Sequence, residues 1–480
     1  MNRRMVLNTL GYISVANAIL MLLPTIVSII YREACLWAFL ITIGISLLMG
    51  LLLILLSRPG TKVIYAKEGF VIVSYAWLIM AGIGALPFVI SGEIPSYVDA
   101  FFEMVSGFTT TGASILTDVE AMSKGLLFWR SFSHWIGGMG VLVFVMAIIP
   151  NISDRSIHIL RAEMPGPEVG KLRPKAGDTA KILYLIYIVM TVVQIVLLLF
   201  GGMPLFESLV HTFGTAGTGG FGVKADSIAS YSPYLQWVIA IFMIFFGVNF
   251  NLYYLILIRK IKSVFKSTEL WAYLGIIIVS ITLICINIYS MYDGFSETLR
   301  ASVFQVASII STTGYATTDF NLWPVLSKTV LLIIMIVGAC AGSTAGGLKV
   351  SRAVILVKAV FREFKKMLHP RSVRVVKMEG KSVEENTLSS VTTYFAVYMM
   401  CVLMIFLCLG FEPFSIETNF SATLACFNNI GPGLGSVGPT SSYAQYSDFS
   451  KILLSIAMLL GRLEIYPLIL GLNPVVWKKR

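Results

Sequence analysis

The chain of 480 residues is 57% hydrophobic and 13% charged, with a mean hydropathy of +0.83, whereas soluble domains carry about a quarter charged residues. That balance excludes a soluble globular protein and marks an integral membrane chain. The formal charge of +11 does not indicate nucleic acid, because in membrane chains basic residues gather on the cytoplasmic side as a topology signal.

Apolar stretches long enough to cross a bilayer, about 20 residues, are predicted at 8–30, 35–57, 69–91, 126–150, 180–201, 234–258, 270–291, 325–357, 387–410 and 448–471, ten crossings in all. "MNRR" followed by apolar residues and "ANA" at 16–18 imitates a secretory signal, but the apolar run continues to Ile30, so a retained first helix is expected. Shorter pieces near 97–110, 204–217, 297–311 and 415–428 cannot cross and read as re-entrant helices. Each precedes a glycine-bearing segment: "GFTTTGASIL" (107–116), "TAGTGGFGVKAD" (215–226), "STTGYATTDF" (311–320) and "NNIGPGLGSVG" (428–438).

After residue 68 the order long helix, short helix, glycine loop, long helix therefore occurs four times. The markers Gly112, Gly220, Gly314 and Gly431 lie 108, 94 and 117 residues apart, an internal repeat of the kind that defines an architecture. The expected fold is an all-α membrane protein. Two extra N-terminal transmembrane helices (1–68) precede four helix, pore-helix, loop, helix units at 69–179, 180–268, 269–385 and 386–480, arranged around a central ion pore.

The connections between repeats and the two tails hold 28 of the 36 Lys and Arg residues, all on one side of the ten-span arrangement. That side is cytoplasmic by the positive-inside rule, so the glycine loops open to the exterior. The outer connections carry acids, among them Glu93, Asp99, Glu103, Asp118, Asp226, Asp293, Asp319 and Glu417, which form either a cation-concentrating rim or ordinary solvated loops.

Non-helical backbone at membrane depth is tolerated only where it is buried in protein or lines a watery path. Four such loops can meet on a pseudo-fourfold axis. A glycine in each permits left-handed dihedrals that turn successive carbonyl oxygens inward, where they replace the hydration shell of a monovalent cation. Each short helix ends at its loop, and its negative dipole end, about half an elementary charge, favours a cation there. A single such loop could be a packed turn; four in corresponding positions weigh against that.

"TTTGAS", "GTGGFG", "STTGYATTDF", "NNIGPGLGS" and "AGSTAGGLKVSR" (341–352), with the fourfold repeat and two leading helices, resemble the TrkH branch of the Trk/Ktr/HKT superfamily of potassium transporters over essentially the whole chain. The resemblance implies K+ as the transported ion, no covalently bound cofactor, and a multi-pass protein of the bacterial inner (plasma) membrane. It carries the K+ filter onto Thr110, Thr111 and Gly112; Thr218 with Gly219 or Gly220; Thr312, Thr313 and Gly314; and Asn429, Ile430 and Gly431. Gly220 is preferred because Phe221 follows it as Tyr315 follows Gly314. Four glycines, rather than a serine in the first position, resemble members that favour K+ over Na+. The fourth loop departs from the hydroxyl pattern.

The long helix near 325–357 is interrupted by "GACAGSTAGGLK" (338–349), a poor helix interior because each glycine costs around 1 kcal/mol relative to alanine. A break is expected there. The stretch imitates a phosphate-binding loop, but Leu348 stands where lysine belongs, so nucleotide binding is rejected. By resemblance the segment, with Gly342, Ser343, Thr344, Ala345, Gly346, Gly347 and Lys349, is an intramembrane gate below the filter; the alternative is a kink for close packing. Arg462, a charge within the last apolar span, must face a cavity, carbonyls or an acid. Glu464, two residues on, points to another helix face. The resemblance places Arg462 just inside the filter as an electrostatic barrier beside the gate.

The basic segment 349–381, with ten Lys or Arg, reads as a cytoplasmic loop at the lipid headgroups. The resemblance adds a homodimer and a cytosolic nucleotide-binding ring of TrkA type, contacting this loop and 151–180. Six scattered cysteines show no disulfide or zinc spacing. The four histidines, His134, His158, His211 and His369, form no catalytic motif, so no enzyme is expected. The rival to a channel is a K+ symporter coupled to H+ or Na+, with Glu464 or Asp99 as coupling groups.

Overall fold

The computed structural model describes residues 1–57, 66–140, 176–372 and 374–474, and prolines shape its first spans. Helix α1 (Arg3–Leu20) continues into α2 (Leu22–Tyr31) with an interruption at Met21. Pro24 cannot donate to the Leu20 carbonyl, and its ring crowds that oxygen. Pro87 acts likewise on Ile83, separating α4 (Ala66–Gly84) from α5 (Leu86–Ser91). Helix α3 (Leu36–Leu56) packs on α1 at Gly11 and Gly50, where a Cβ on either would lie 2.9 Å from the other's carbonyl oxygen. Ser46 Oγ also donates to the Ser14 carbonyl at 2.8 Å. The leading pair is tied to the start of α7 (Lys124–Gly138) by Glu33, whose carboxylate accepts from the amides of Lys124 and Gly125 at 2.7 and 2.9 Å.

Beyond the leading pair the chain forms four units of similar order. The first has α4 and α5, the short α6 (Tyr97–Phe108) and α7; the second has α8 (Ala176–Phe200), α9 (Leu205–Gly217), α10 (Pro233–Phe246), α11 (Phe250–Leu257) and α12 (Ile261–Phe265). The third has α13 (Thr268–Ile288), α14 (Phe295–Ile310), α15 (Val325–Val337) and α16 (Val350–Leu368), and the fourth α17 (Glu385–Leu409), α18 (Ile416–Phe427), α19 (Asp448–Arg462) and α20 (Tyr466–Leu472). Among the described residues the strands are one antiparallel pair, Lys377–Met378 with Lys381–Ser382. The fold is therefore an all-α membrane protein. The short helices α6, α9, α14 and α18 are buried along nearly all of their last turns, while the long helices turn large apolar side chains such as Leu56, Phe200, Ile286 and Leu407 outward. Apolar surface on the outside and polar backbone on the inside is the arrangement lipid requires.

The expectation of ten continuous crossings is corrected. Among the described residues six helical segments are long and apolar enough to cross, two of them with interruptions, at Met21 and Ala85. The expected spans 234–258 and 448–471 are bent pairs, by 90° between α10 and α11 and by 117° between α19 and α20. At the first break, Asn249 Oδ1 accepts from the Asn251 amide at 2.9 Å, so a side chain caps the restarting helix. At the second, Glu464 and Ile465 take positive φ of 53° and 67°, and Pro467 cannot bond back to Leu463. The expected break in 325–357 occurs, between Val337 and Val350. The continuation of 126–150 past Gly140, the contact segment 151–175, and basic residues in 58–65 and 475–480 lie outside the described residues.

Candidate functional site

Each short helix ends in the same way, and the ending positions its loop. The residue two before the marker glycine is left-handed, at Thr110, Thr218, Thr312 and Asn429 with φ of 56°, 58°, 57° and 56°. The amide next in the chain reaches back to close the last turn: Thr111 to Ser106 at 2.9 Å, Gly219 to Gly214 at 2.7 Å, Thr313 to Ser308 at 2.8 Å and Ile430 to Ala425 at 2.8 Å. This is a Schellman-type stop. The glycine is then also at positive φ, 78° at Gly112, 80° at Gly220, 86° at Gly314 and 93° at Gly431. In the second loop Gly220 takes this conformation, at the same offset as in the others.

The four loops meet in a closed ring. A Cβ on Gly112 would strike the Gly219 carbonyl oxygen, one on Gly220 that of Thr313, and one on Gly314 that of Ile430; one on Gly431 would lie 2.6 Å from the Thr111 oxygen. Loop one thus abuts two, two abuts three, three abuts four and four abuts one. No side chain fits at these junctions, which is why glycine stands at all four.

Ring residues Thr110, Thr111, Thr218, Thr312, Thr313, Asn429 and Ile430 are fully buried. Among the described residues, no protein group donates to the carbonyls of 110–112, 218–220, 312–314, 429 or 430; the Gly431 carbonyl accepts from Tyr443 Oη at 2.8 Å. A buried polar group without a partner costs roughly 1–3 kcal/mol, and native proteins leave few. Here such oxygens are concentrated at one place, at the C-terminal ends of four helices. A cavity of about 360 Å³ opens against all four glycines.

Two of the left-handed residues, Thr312 and Asn429, meet the segment 338–349. Thr312 Oγ1 accepts from the Gly346 amide at 2.7 Å. Thr110 Oγ1 accepts from Arg462 Nη1 at 3.2 Å, and the same nitrogen donates to the Thr344 carbonyl at 2.7 Å. Arg462 Nη2 donates to the carbonyls of Gly137 and Gly138, the latter at 2.7 Å. The guanidinium at the end of α19 thereby joins the end of α7, the first loop and the segment 338–349. Gly346 sits so close that a Cβ there would lie 3.0 Å from Asn429 Cβ. Asn429 Nδ2 in turn donates to Thr111 Oγ1 at 3.0 Å and to the Met458 carbonyl at 2.9 Å.

The segment 338–349 is held in the break of the second unit. The Phe250 amide donates to Gly342 O at 3.0 Å, Cys340 N to Gly247 O at 3.1 Å, and Thr344 Oγ1 to Phe246 O at 3.2 Å. Gly338, Gly342 and Gly347 have positive φ, as does Lys349 at 80°, and Lys349 Nζ donates to the Ala345 carbonyl. Ser343 Oγ donates to the Cys340 carbonyl at 2.6 Å. A small cavity of about 40 Å³ is lined by Gly138, Ser343, Gly346, Lys349 and Arg462 among others. Of the singled-out loop residues, Gly346 touches the ring directly and Thr344 is joined to it through Arg462.

Of three further charged sites, Glu269 is not named from the sequence, while Glu464 and Glu103 are expected there in other roles, as a coupling group and as an acid of the outer connections. Glu269 Oε1, 6% exposed, accepts from the amides of Ala341 at 2.7 Å and Ser351 at 3.1 Å, holding the segment on both sides. Glu464 is ion-paired with Arg352, whose guanidinium lies 4.1 Å from the Tyr394 ring centroid. Glu103 is not part of an outer rim: it is fully buried and paired with Arg130 at 2.7 Å. The available signal was a charge inside an apolar stretch, "AFFEMV" and "LFWRSF", since such charges are costly unless paired.

Comparison with known proteins agrees over the whole chain. The sequence pattern of the TrkH family, described as a cation transport protein, matches residues 36–475. The Trk system potassium uptake protein TrkH of Salmonella typhimurium is 35% identical over 489 residues, and that of Escherichia coli K12 34%, each with 100% of both chains covered. The crystal structure of the potassium transporter TrkH from Vibrio parahaemolyticus superposes with a TM-score of 0.89 at 30% identity, covering 100% of both chains.

Proposed function

We propose, since this chain belongs to the TrkH family of cation transport proteins, that it takes up K+ across the bacterial inner membrane through a filter of backbone carbonyls. The observation that carries the reading is the closed ring of four glycine loops whose carbonyls, among the described residues and apart from that of Gly431, have no protein donor. Oxygens in that state are the ligands a dehydrated alkali cation requires, and four helix C-termini add favourable potential. The filter residues are Thr110 to Gly112, Thr218 to Gly220, Thr312 to Gly314 and Asn429 to Gly431. The family is one of membrane transport, not of enzymes.

The segment 338–349 acts as the gate. What supports this is its seat on Thr312 and beside Asn429, with Arg462 latching it through Thr344. The arginine places a positive charge at the inner mouth of the filter, where it opposes cation passage until the loop moves. The filter opens to the exterior and the basic connections face the cytoplasm, in keeping with the charge bias. The relatives named for a Trk system support accessory subunits, and a homodimer docked on a cytosolic nucleotide-binding ring of TrkA type is the assembly expected.

Channel-like passage is favoured over H+- or Na+-coupled symport. Asp99 and Glu464, the two acids weighed as coupling groups, are held in ion pairs with Lys451 and Arg352. The test is growth of a K+-uptake-deficient cell on limiting K+, with and without Gly314→Ser, together with single-channel recording. Rescue by the native chain alone, with unitary currents reversing at the K+ equilibrium potential, is expected. Absence of rescue refutes K+ uptake; pH-coupled accumulation without unitary currents replaces the channel with symport.

A further inference from the structure

Behind the ring, the position nine residues before each marker glycine is occupied by Glu103, His211, Gln305 and Ala422. One of the four is an acid, and it is fully buried. Its carboxylate accepts from Ser114 Oγ at 3.0 Å and from the Ile115 amide at 3.0 Å, the two residues by which the first loop leaves the ring. Arg130, 1% exposed on α7, donates from Nε to Glu103 Oε1 at 2.7 Å and from Nη2 to Ser114 Oγ at 3.3 Å. The guanidinium carbon lies 4.0 Å from the centroid of the Phe221 ring, and Phe221 directly follows Gly220.

The pair therefore grips the exit of the first loop with its hydrogen bonds and bears on the second loop through a cation–π face. These loops are the two that touch where Gly112 meets the Gly219 carbonyl. Two of the other junctions between loops are braced by neutral groups: Tyr315 Oη donates to Phe221 O at 3.2 Å between loops three and two, and Asn429 bonds Thr111 between four and one. A buried ion pair is a poor way to gain stability, because desolvation offsets most of the attraction. A planar guanidinium with two bonds to one side and an aromatic on the other is, however, a rigid spacer. Glu103 also neutralises Arg130, which lines the cavity against the glycines.

Resting on the filter reading above, we propose that Glu103 and Arg130 are positioning residues that set the spacing between the first and second filter loops, and with it the discrimination of K+ from the smaller Na+. Neither touches the ion. Their effect passes through Ser114 and Ile115 on one side and Phe221 on the other.

The experiment is K+ and Na+ flux into proteoliposomes for the native chain, Arg130→Lys, Arg130→Gln and Phe221→Leu, with melting followed in choline, K+ and Na+. The K+ to Na+ flux ratio is expected to fall by roughly tenfold in Arg130→Gln and less in Arg130→Lys, which keeps the charge without the fork. The extra thermal protection given by K+ over Na+ is expected to shrink in step, while melting in choline changes little in Phe221→Leu. Should Arg130→Gln fail to fold, Phe221→Leu decides, because it removes the contact with the second loop and leaves the ion pair in place. A native ratio in folded Phe221→Leu and Arg130→Lys overturns the proposal. Absence of K+ flux in the native chain overturns instead the filter reading on which it stands.

Discussion

Arg462 donates from Nη1 to the Thr344 carbonyl oxygen at 2.7 Å, joining the last residue of α19 to the middle of the loop 338–349. The same side chain bonds Thr110 in the first glycine loop and the carbonyls of Gly137 and Gly138. One cation therefore bridges the segment 338–349 and the ring. Hydrogen bonds from a charged donor are worth about 1.5–3 kcal/mol each, so this latch adds to the bonds by which Phe250, Gly247, Phe246, Thr312 and Glu269 hold the segment.

Arg462→Ala removes the latch and the positive charge together. Ion flux through the reconstituted protein is expected to rise by roughly tenfold, the change that loss of about 1.4 kcal/mol of closed-state stabilisation brings. Flux equal to that of the native chain would take Arg462 out of the gating mechanism.

Thr312→Val removes the acceptor for the Gly346 amide while keeping the side-chain shape. The loop loses one of its seats on the ring, at a cost of about 1–3 kcal/mol for the amide left buried. Higher basal flux with an unchanged K+ to Na+ ratio is expected, since the backbone dihedrals of the third loop persist. A lowered ratio at native flux would place the Thr312 hydroxyl in selectivity rather than in seating.

Arg352 and Glu464 form a buried pair between α16 and the break after α19. Replacing one partner leaves an uncompensated buried charge, with an expected loss of about 3–5 kcal/mol. Glu464→Gln should therefore lower the melting temperature in detergent well below that of the native chain, and Arg352→Met with Glu464→Met should recover most of the loss. A double variant as unstable as the single one would show that packing, not charge compensation, is what the pair supplies.

The leading helices are a control on close approach. Gly50→Val brings side-chain atoms into the Gly11 carbonyl and Val15, so it should separate α1 from α3 and destabilise the chain. Gly44, on the same α3, has nothing within 4 Å of a built Cβ, and Gly44→Ala should be neutral or raise stability by up to about 1 kcal/mol. Paired melting curves distinguish the two, and equal effects would refute the close contact.

Much of the site is legible along the chain. The alternation of long and short apolar stretches sets which segments can cross and which must turn back, and the recurrence of Gly112, Gly220, Gly314 and Gly431 marks where the turning backbone needs positive φ. The break at 338–349 is visible for the same reason, a density of glycine that no helix interior sustains. Arg462 stands out because a charge in an apolar stretch demands partners.

The breaks after α10 and α19 carry weaker local marks. Asn249 and Pro467 are present, but hydropathy runs unbroken across both, and the bends are held by partners from other units, Cys340 and Gly342 against the first and Arg352 on Glu464 at the second. Glu103 sits in a segment that reads as an outer connection, and its burial depends on Arg130 arriving from α7.

The sequence by itself determined the membrane class, the fourfold order and the left-handed glycines, because span length and dihedral demand are properties of neighbouring residues. Which loop abuts which around the ring, which helices break, and which carbonyls Arg462 holds were decided only in three dimensions. Those contacts join residues hundreds of positions apart, and their energies depend on distances that no local pattern encodes.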